Sequence, residues 1–581
     1  MNFNEIIHRC GNTDCYAINE NELVINIKTN KDITAVNLVH GDPYTNGPSG
    51  KKPWYGIPKP MKVTMELKNY LVWSTVIAPE FKRLQYYFEI VCNNEKQNLF
   101  EDGLYTEDEI HIEGIIKQYF KYAWINSSDL YKAPEWVEDT CWYQIMPDRF
   151  CRIADFSDER HLSSWNNTSN MKYNEIYGGN LSGIISKLTY LHDLGINGIY
   201  LTPIFTSVSD HKYNTTDYQK IDPGFGSEQI FKELVEKAHN MGIRIVIDGV
   251  FNHCGTEFFA WKDVVKNGKK SKFYNWFYIN KDNFTGNAKT SDGRYYSFAF
   301  EAEMPKLNTN NTEVANYFCG ICKEWILKWN IDGIRFDVGN EISHSFIKKL
   351  HRELKLLKPD LFLLGEIWHD SSQWLQGDEY DSVMNYPFMD SIHNFFVNKK
   401  LEAKDFMYMM NHCYSLYMAH VNRVLFNFLD SHDVGRVYSR CNDEDIFFQQ
   451  LAILMTMPGT PCIYYGTEIA MDGKSEPYNR KPMPWEKISS GKYDAIIKEV
   501  KTLIYIRRKY NATLKNSQIQ WNNTRKRLVN YIRQGDINIE IYINAGKTDV
   551  QINLDGQVVI FARGYSMNFL APKGTLILRK D

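Results

Sequence analysis

The chain has 581 residues, too many for one ordinary hydrophobic core, so two to four domains are expected. Its 67 Lys and Arg against 70 Asp and Glu leave a net charge of −3, which gives no basis for a nucleic-acid or acidic-membrane partner. No apolar run approaches the roughly 20 residues that span a bilayer, and residues 1–8 lack the basic-then-apolar order of a secretory signal. Eleven cysteines without a regular framework imply reduced thiols and a cytoplasmic location. Aromatic residues make up 14% of the chain. Their faces suit sugar rings, but large cores use them as well, so composition alone decides little.

Residues 1–125 read as an N-terminal β-sandwich. Segments 23–29, 61–67 and 84–90 alternate apolar and polar residues, and turn-rich stretches such as 41–50 separate them. A linker follows around Ala133-Pro134-Glu135. From 126 to 510 the rhythm becomes strand–helix. Strands are expected at 141–146, 198–203, 243–248, 333–337, 360–366, 381–386, 424–429 and 461–465, with helices at 181–194, 227–241 and 312–330. The last helix carries Val314, Tyr317, Phe318, Ile321, Trp325 and Trp329 on one stripe. Eight strands alternating with helices predict a parallel (β/α)8 TIM barrel, interrupted by a small inserted B domain at about 251–310. Residues 511–581 form a C-terminal all-β domain, a second β-sandwich, in which 537–543 alternate strictly.

Three acids stand at or just beyond the ends of such strands: Asp337 in Gly333-Ile334-Arg335-Phe336-Asp337, Glu366 closing Leu361-Phe362-Leu363-Leu364-Gly365-Glu366, and Asp433 in Leu429-Asp430-Ser431-His432-Asp433. The carboxyl ends of barrel strands share one face, so these side chains can converge. Three carboxyl groups with Arg335 and His432 beside them are what cleavage of a sugar acetal requires.

Together with Asp248-Gly249-Val250-Phe251-Asn252-His253 and Gly365-Glu366-Ile367-Trp368, these motifs have the order and approximate spacing of the α-amylase superfamily, glycoside hydrolase family 13. Met304-Pro305-Lys306-Leu307-Asn308 and Gly459-Thr460-Pro461-Cys462-Ile463-Tyr464-Tyr465-Gly466-Thr467-Glu468 resemble its neopullulanase/cyclomaltodextrinase/maltogenic amylase branch. Any one motif is weak, but six in sequence are specific. The resemblance covers nearly the whole chain, and residues 1–125 look like the starch-binding-type N-domain of that branch.

The resemblance implies retaining hydrolysis, with Asp337 as nucleophile, Glu366 as acid and then base, and Asp433 holding the sugar hydroxyls. Arg335 points to the same side of its strand as Asp337 and is expected to keep it ionised, whereas Glu366 has to carry a proton, which nearby carboxylates favour. Asp248 belongs to the first of these motifs. His253 and His432 resemble hydrogen-bonding partners of the sugar at the cleavage point, and Tyr213 resembles the residue stacked beneath it. Phe298 and Trp368 are candidate platforms for acceptor-side sugars, and a core role is equally open for Phe298. Arg480 resembles a donor-side contact. Asn214 and Glu476 stand where the family usually has Asp. No cofactor is implied as required. Calcium is doubtful, because Cys151-Arg152-Ile153-Ala154-Asp155 lacks most of the oxygen ligands found in such a loop, and metal need stays open. Cys319-Gly320-Ile321-Cys322 has metal-like spacing but falls on a helix without a second pair, and Tyr177-Gly178-Gly179-Asn180-Leu181 is a turn rather than a phosphate loop.

The expected substrates are cyclomaltodextrins and maltooligosaccharides cleaved at α-1,4-glucosidic bonds, with pullulan or starch as further candidates and transglycosylation as a side activity. The alternatives are an inactive glucan-binding homologue and an enzyme biased to transfer or α-1,6 cleavage. The branch also implies a homodimer formed through the N-terminal domain.

Overall fold

The computed structural model describes residues 5–45, 54–110, 112, 117–153, 162–281, 284, 286–516, 518–523 and 525–580. They divide into two compact units, 1–132 with 375–377 and 400–422, and 133–374 with 378–399 and 423–581.

The first unit is built from two antiparallel sheets. One has four strands, Cys15–Asn19, Glu22–Asn30, Tyr70–Ile77 and Lys62–Glu66 in spatial order. The other has six and is centred on Ile33–Gly41 and Leu84–Cys92. Period-two alternation decides what each strand buries. Leu23, Ile25 and Ile27 from the first sheet and Tyr86, Phe88 and Ile90 from the second belong to one core, all at 0% exposure. A helix, Ala403–Ser415, joins this unit at the edge strand Lys62–Glu66, where Asn411 Nδ2 donates to the Glu66 carbonyl at 2.9 Å. Covering an edge in this way hides unpaired backbone groups.

The second unit contains a ring of eight parallel strands: β1 (Trp142–Ile145), β2 (Gly198–Leu201), β3 (Arg244–Gly249), β4 (Gly333–Phe336), β5 (Phe362–Gly365), β6 (Ser382–Val383), β7 (Phe426–Phe428) and β8 (Thr460–Tyr464). Their hydrogen-bonded order is β6-β5-β4-β3-β2-β1-β8-β7. One parallel bridge, Met384 to Phe426, connects the two ends. The strands are short and almost wholly buried, which explains why they read as apolar runs rather than alternating ones. All eight expected strands are present.

The connecting helices start and stop where their caps dictate. Asn180 accepts from Gly183 N at 2.8 Å and begins Leu181–Ser186, so the glycine pair before it is a turn into a barrel helix. Gly179 has no room for a side chain, because a Cβ there would lie 2.1 Å from the Pro147 carbonyl. Thr312–Trp329 is capped by Asn311 and ends at Asn330 in the left-handed conformation. Its stripe is buried except for a half-buried Tyr317, and Cys319 and Cys322 lie in the same packed face. Residues 251–310 hold a helix, Phe259–Asn267, and isolated bridges such as Phe277 to Leu307 and Ile279 to Tyr295. The all-β tail is hydrogen-bonded as one six-stranded sheet in which Phe569–Lys580 pairs with three neighbours. Residues 46–50 of the turn-rich stretch, 154–155 of the doubted calcium loop and residues 1–4 lie outside the described residues.

Candidate active site

The carboxyl ends of β3, β4, β5 and β7 bring four acids to one mouth of the ring. Asp248 lies near the end of β3, Asp337 and Glu366 directly follow β4 and β5, and Asp433 follows β7 in the next loop. Arg335, fully buried on β4, ties three of them together, Asp248, Asp337 and Glu366. Its Nη1 donates to both oxygens of Asp248, at 3.0 and 2.9 Å, and to Asp337 Oδ1 at 2.8 Å. Its Nη2 lies 2.9 Å from Glu366 Oε2. Glu366 is held from both sides. Val338 N donates to Oε2 at 2.9 Å, while Trp368 Nε1 and the Tyr386 hydroxyl donate to Oε1 at 3.1 and 3.3 Å. Val338 adopts φ 48°, an uncommon conformation for a β-branched residue, and this turn aims its N–H at the carboxylate.

Removal from water dominates the electrostatics. Burial pushes Asp248 up to about 6, against the pull of Arg335 and of hydrogen bonds from Tyr200 and Tyr213. Burial also pushes Asp337 well above the usual carboxylate range. Arg335 pulls it back, and the Glu366 and Asp248 charges push it further. Arg335 therefore acts in the direction expected from the sequence, favouring the ionised form of Asp337, but its one guanidinium also faces Asp248 and Glu366. The side chains of Asp337 and Glu366 are 8% and 7% exposed, whereas that of Asp433 is 28% exposed and the most open of the three.

Burial disfavours the charged form of His432 and His253. Burial, reinforced by Arg480 and Arg335, pushes His432 far below its ordinary value. Its Nδ1 accepts from Gln144 Nε2 at 2.7 Å, which leaves the proton on Nε2, 2.5 Å from the Tyr213 oxygen and 3.1 Å from Asp433 Oδ2. Tyr213 in turn donates to Asp248 Oδ2 at 3.0 Å. The relay Gln144–His432–Tyr213–Asp248 fixes the Tyr213 ring, which lies parallel to His432 at 5.3 Å between centroids. Burial likewise lowers His253 to about 3, and its Nε2 lies 4.0 Å from Asp337 Oδ2.

Asp337, Glu366, Asp433, Tyr213 and His253 line a cavity of about 480 Å3, with Asp248, Arg335 and His432 behind them. Phe298 stacks on His253 at 5.0 Å and is half-buried on the cavity wall, so its ring both packs and faces the opening. Trp368 is 50% exposed and stacks on Tyr386 at 3.9 Å. At the other end, Arg480 Nε donates to the His432 carbonyl at 2.9 Å, Nη2 lies 3.8 Å from Asp433 Oδ1, and Nη1 pairs with Glu476. Every candidate residue read from the sequence is at or directly beneath this cavity. Sequence reasoning missed Gln144, Tyr200 and Tyr386. Gln144 and Tyr200 are polar interruptions inside apolar strands, and Tyr386 stands three residues past β6, a position that the strand-end rule applied to the acids would have found. No cluster of three or more metal-ligating side chains occurs among the described residues.

Comparison with known proteins identifies the family. Residues 144–534 match the model of the α-amylase catalytic domain, and residues 1–126 match that of the α-amylase N-terminal ig-like domain. The chain is 39% identical over 559 residues to an intracellular maltogenic amylase of Bacillus subtilis, covering 95% of this chain and 93% of that protein. It is 40% identical over 510 residues to a cyclomaltodextrinase of Thermoanaerobacter pseudethanolicus, covering 87% and 85%. A solved cyclomaltodextrinase structure superposes with a TM-score of 0.88 at 32% identity, over 100% of this chain and 98% of that one. This chain belongs to the α-amylase family of hydrolases, in its maltogenic amylase, cyclomaltodextrinase and neopullulanase branch.

Proposed function

We propose that the chain is a retaining hydrolase of α-1,4-glucosidic bonds acting on cyclomaltodextrins and maltooligosaccharides, with pullulan and starch as further substrates. Asp337 attacks the anomeric carbon to form a glycosyl ester, and Glu366 donates its proton to the departing glycosidic oxygen. Glu366 then takes a proton from water, which attacks the anomeric carbon and releases Asp337 as carboxylate. Asp433 holds the hydroxyls of the sugar resting on Tyr213. An acceptor sugar in place of water gives transglycosylation.

The observation that carries this reading is that two nitrogens of Arg335 reach Asp337 and Glu366, at the carboxyl ends of adjacent parallel strands. Nucleophile and acid therefore flank one position. Tyr55 and Ile57, 76% and 70% exposed on the N-terminal unit, support an interface to a second copy there. The name of the B. subtilis relative supports a cytoplasmic location.

The test is NMR of the first products from cyclomaltodextrin, starch and pullulan. Products released with α configuration are expected. Release as the β-anomer, or no cleavage of any of the three, would overturn the reading. Trapped glycosyl-enzyme should map to Asp337 by mass spectrometry.

A further inference from the structure

At the Arg480–Glu476 end of the cavity, a separate loop brings in an aromatic ring that neither core packing nor the chemistry above uses. Tyr173 is 67% exposed, yet its hydroxyl donates to the backbone carbonyl of Glu476 at 3.2 Å. The side chain of Glu476 lines the cavity and pairs with Arg480. The turn that presents the ring is tied down. Lys172 N donates to the Glu175 carboxylate at 3.1 Å, Arg149 Nη2 donates to the Glu175 carbonyl at 2.7 Å, Met171 is buried, and Asn174 takes φ 62° to reverse the chain.

A ring pinned by its hydroxyl while most of its surface meets water is suited to stacking on the apolar face of a pyranose. Its location gives the direction. Trp368 bonds Glu366, the group that protonates the departing sugar, whereas Arg480 and Glu476 adjoin Asp433 on the opposite side. We propose that Tyr173 is the platform of an outer glucosyl subsite, beyond the Arg480–Glu476 end of the cavity, which binds the non-reducing part of an α-1,4-glucan chain. The inference rests on the α-glucan reading above and adds a preference for chain length to it.

The experiment compares kcat/KM across maltotriose to maltoheptaose for the wild type, Tyr173→Ala and Tyr173→Phe. For the alanine variant the loss is expected to grow along the series, reaching about tenfold more with maltoheptaose than with maltotriose, the scale of one stacked ring. Tyr173→Phe keeps the ring without its tether and should fall between. A loss equal at all lengths would make Tyr173 merely structural, and no loss at any length would remove the platform. Either result overturns the proposal. Calorimetric titration of maltoheptaose into Glu366→Gln, with and without Tyr173→Ala, separates this inference from the functional one. If the wild type cleaves no oligosaccharide but Tyr173→Ala still weakens binding, the function falls and the platform stands. Binding unaffected by Tyr173→Ala, or absent altogether, overturns the platform.

Discussion

Arg335 Nη1 lies 2.8 Å from Asp337 Oδ1, two residues further along the chain. The same guanidinium also faces Asp248 and Glu366, so its removal would leave three buried carboxyl groups without a cation. Arg335→Leu is expected to destabilise the fold by about 3–5 kcal/mol, read as a lower urea midpoint, and to abolish hydrolysis. Arg335→Lys keeps the charge but loses the planar fork. It should recover much of the stability and little of the activity. Equal stability of wild type and the leucine variant would show that the cluster does not depend on this cation.

Glu366→Gln removes the transferable proton but keeps acceptance by Oε1 from Trp368 and Tyr386. The rate on maltooligosaccharides should fall about 10²–10⁴-fold. With a nitrophenyl maltoside, whose leaving group needs little protonation, the first step should lose far less. Full activity on unactivated substrate would remove Glu366 from its role.

His211 and His253 are both lowered to about 3 by burial. In the unfolded chain they take up protons below about 6.5, but in the fold they do so only near 3. Each therefore costs stability as pH falls through that window, at about 1.4 kcal/mol per pH unit, and contributes nothing above it. His211→Asn should make stability between pH 6.5 and 4.5 less steeply pH-dependent than in the wild type. Identical slopes in urea unfolding would show that His211 titrates normally in the fold.

At the amino end of the ring, Asp332 is almost fully buried and accepts from His239 Nε2 at 2.6 Å, Arg244 Nη1 at 2.9 Å and Ile245 N at 2.8 Å. Burial alone would raise it, but His239 and Lys358 outweigh burial and hold it below its ordinary value. Its contribution is present above about pH 4 and is lost as pH falls further. Asp332→Ala should cost about 3–5 kcal/mol in a urea titration at pH 7 while kcat of the remaining folded enzyme stays close to wild type, because the residue lies at the end of the barrel away from the cavity. A large drop in kcat with unchanged stability would contradict this division of labour.

Much of this was legible because barrel strands announce themselves. Runs such as Phe362-Leu363-Leu364 are apolar on both faces, and an acid placed immediately after one has a single rim to occupy. The supporting shell was harder to see. Gln144 and Tyr200 meet His432 and Asp248 only when β1, β2, β3 and β7 are wrapped into a ring, a relation between residues up to 288 positions apart. The effect of burial on Asp337 is hidden from the sequence for a similar reason. Arg335 is visible two residues away, but the loss of water around the pair depends on walls contributed by distant segments. The grouping of Ala403–Ser415 with the N-terminal unit also rests on contacts such as Asn411 to Glu66, which local periodicity does not encode.

The ring is not equally strong around its circumference. β6 contributes two residues, and among the described residues only the Met384–Phe426 bridge carries the backbone ladder across to β7, beside side-chain bonds from Ser382 to the Val424 carbonyl and from Asn385 to Asn427. Fluctuations that part the barrel should begin at this seam, because it has the shortest backbone ladder. Tyr386 lies on one side of it and Asp433 on the other, so transient parting would widen the mouth of the cavity.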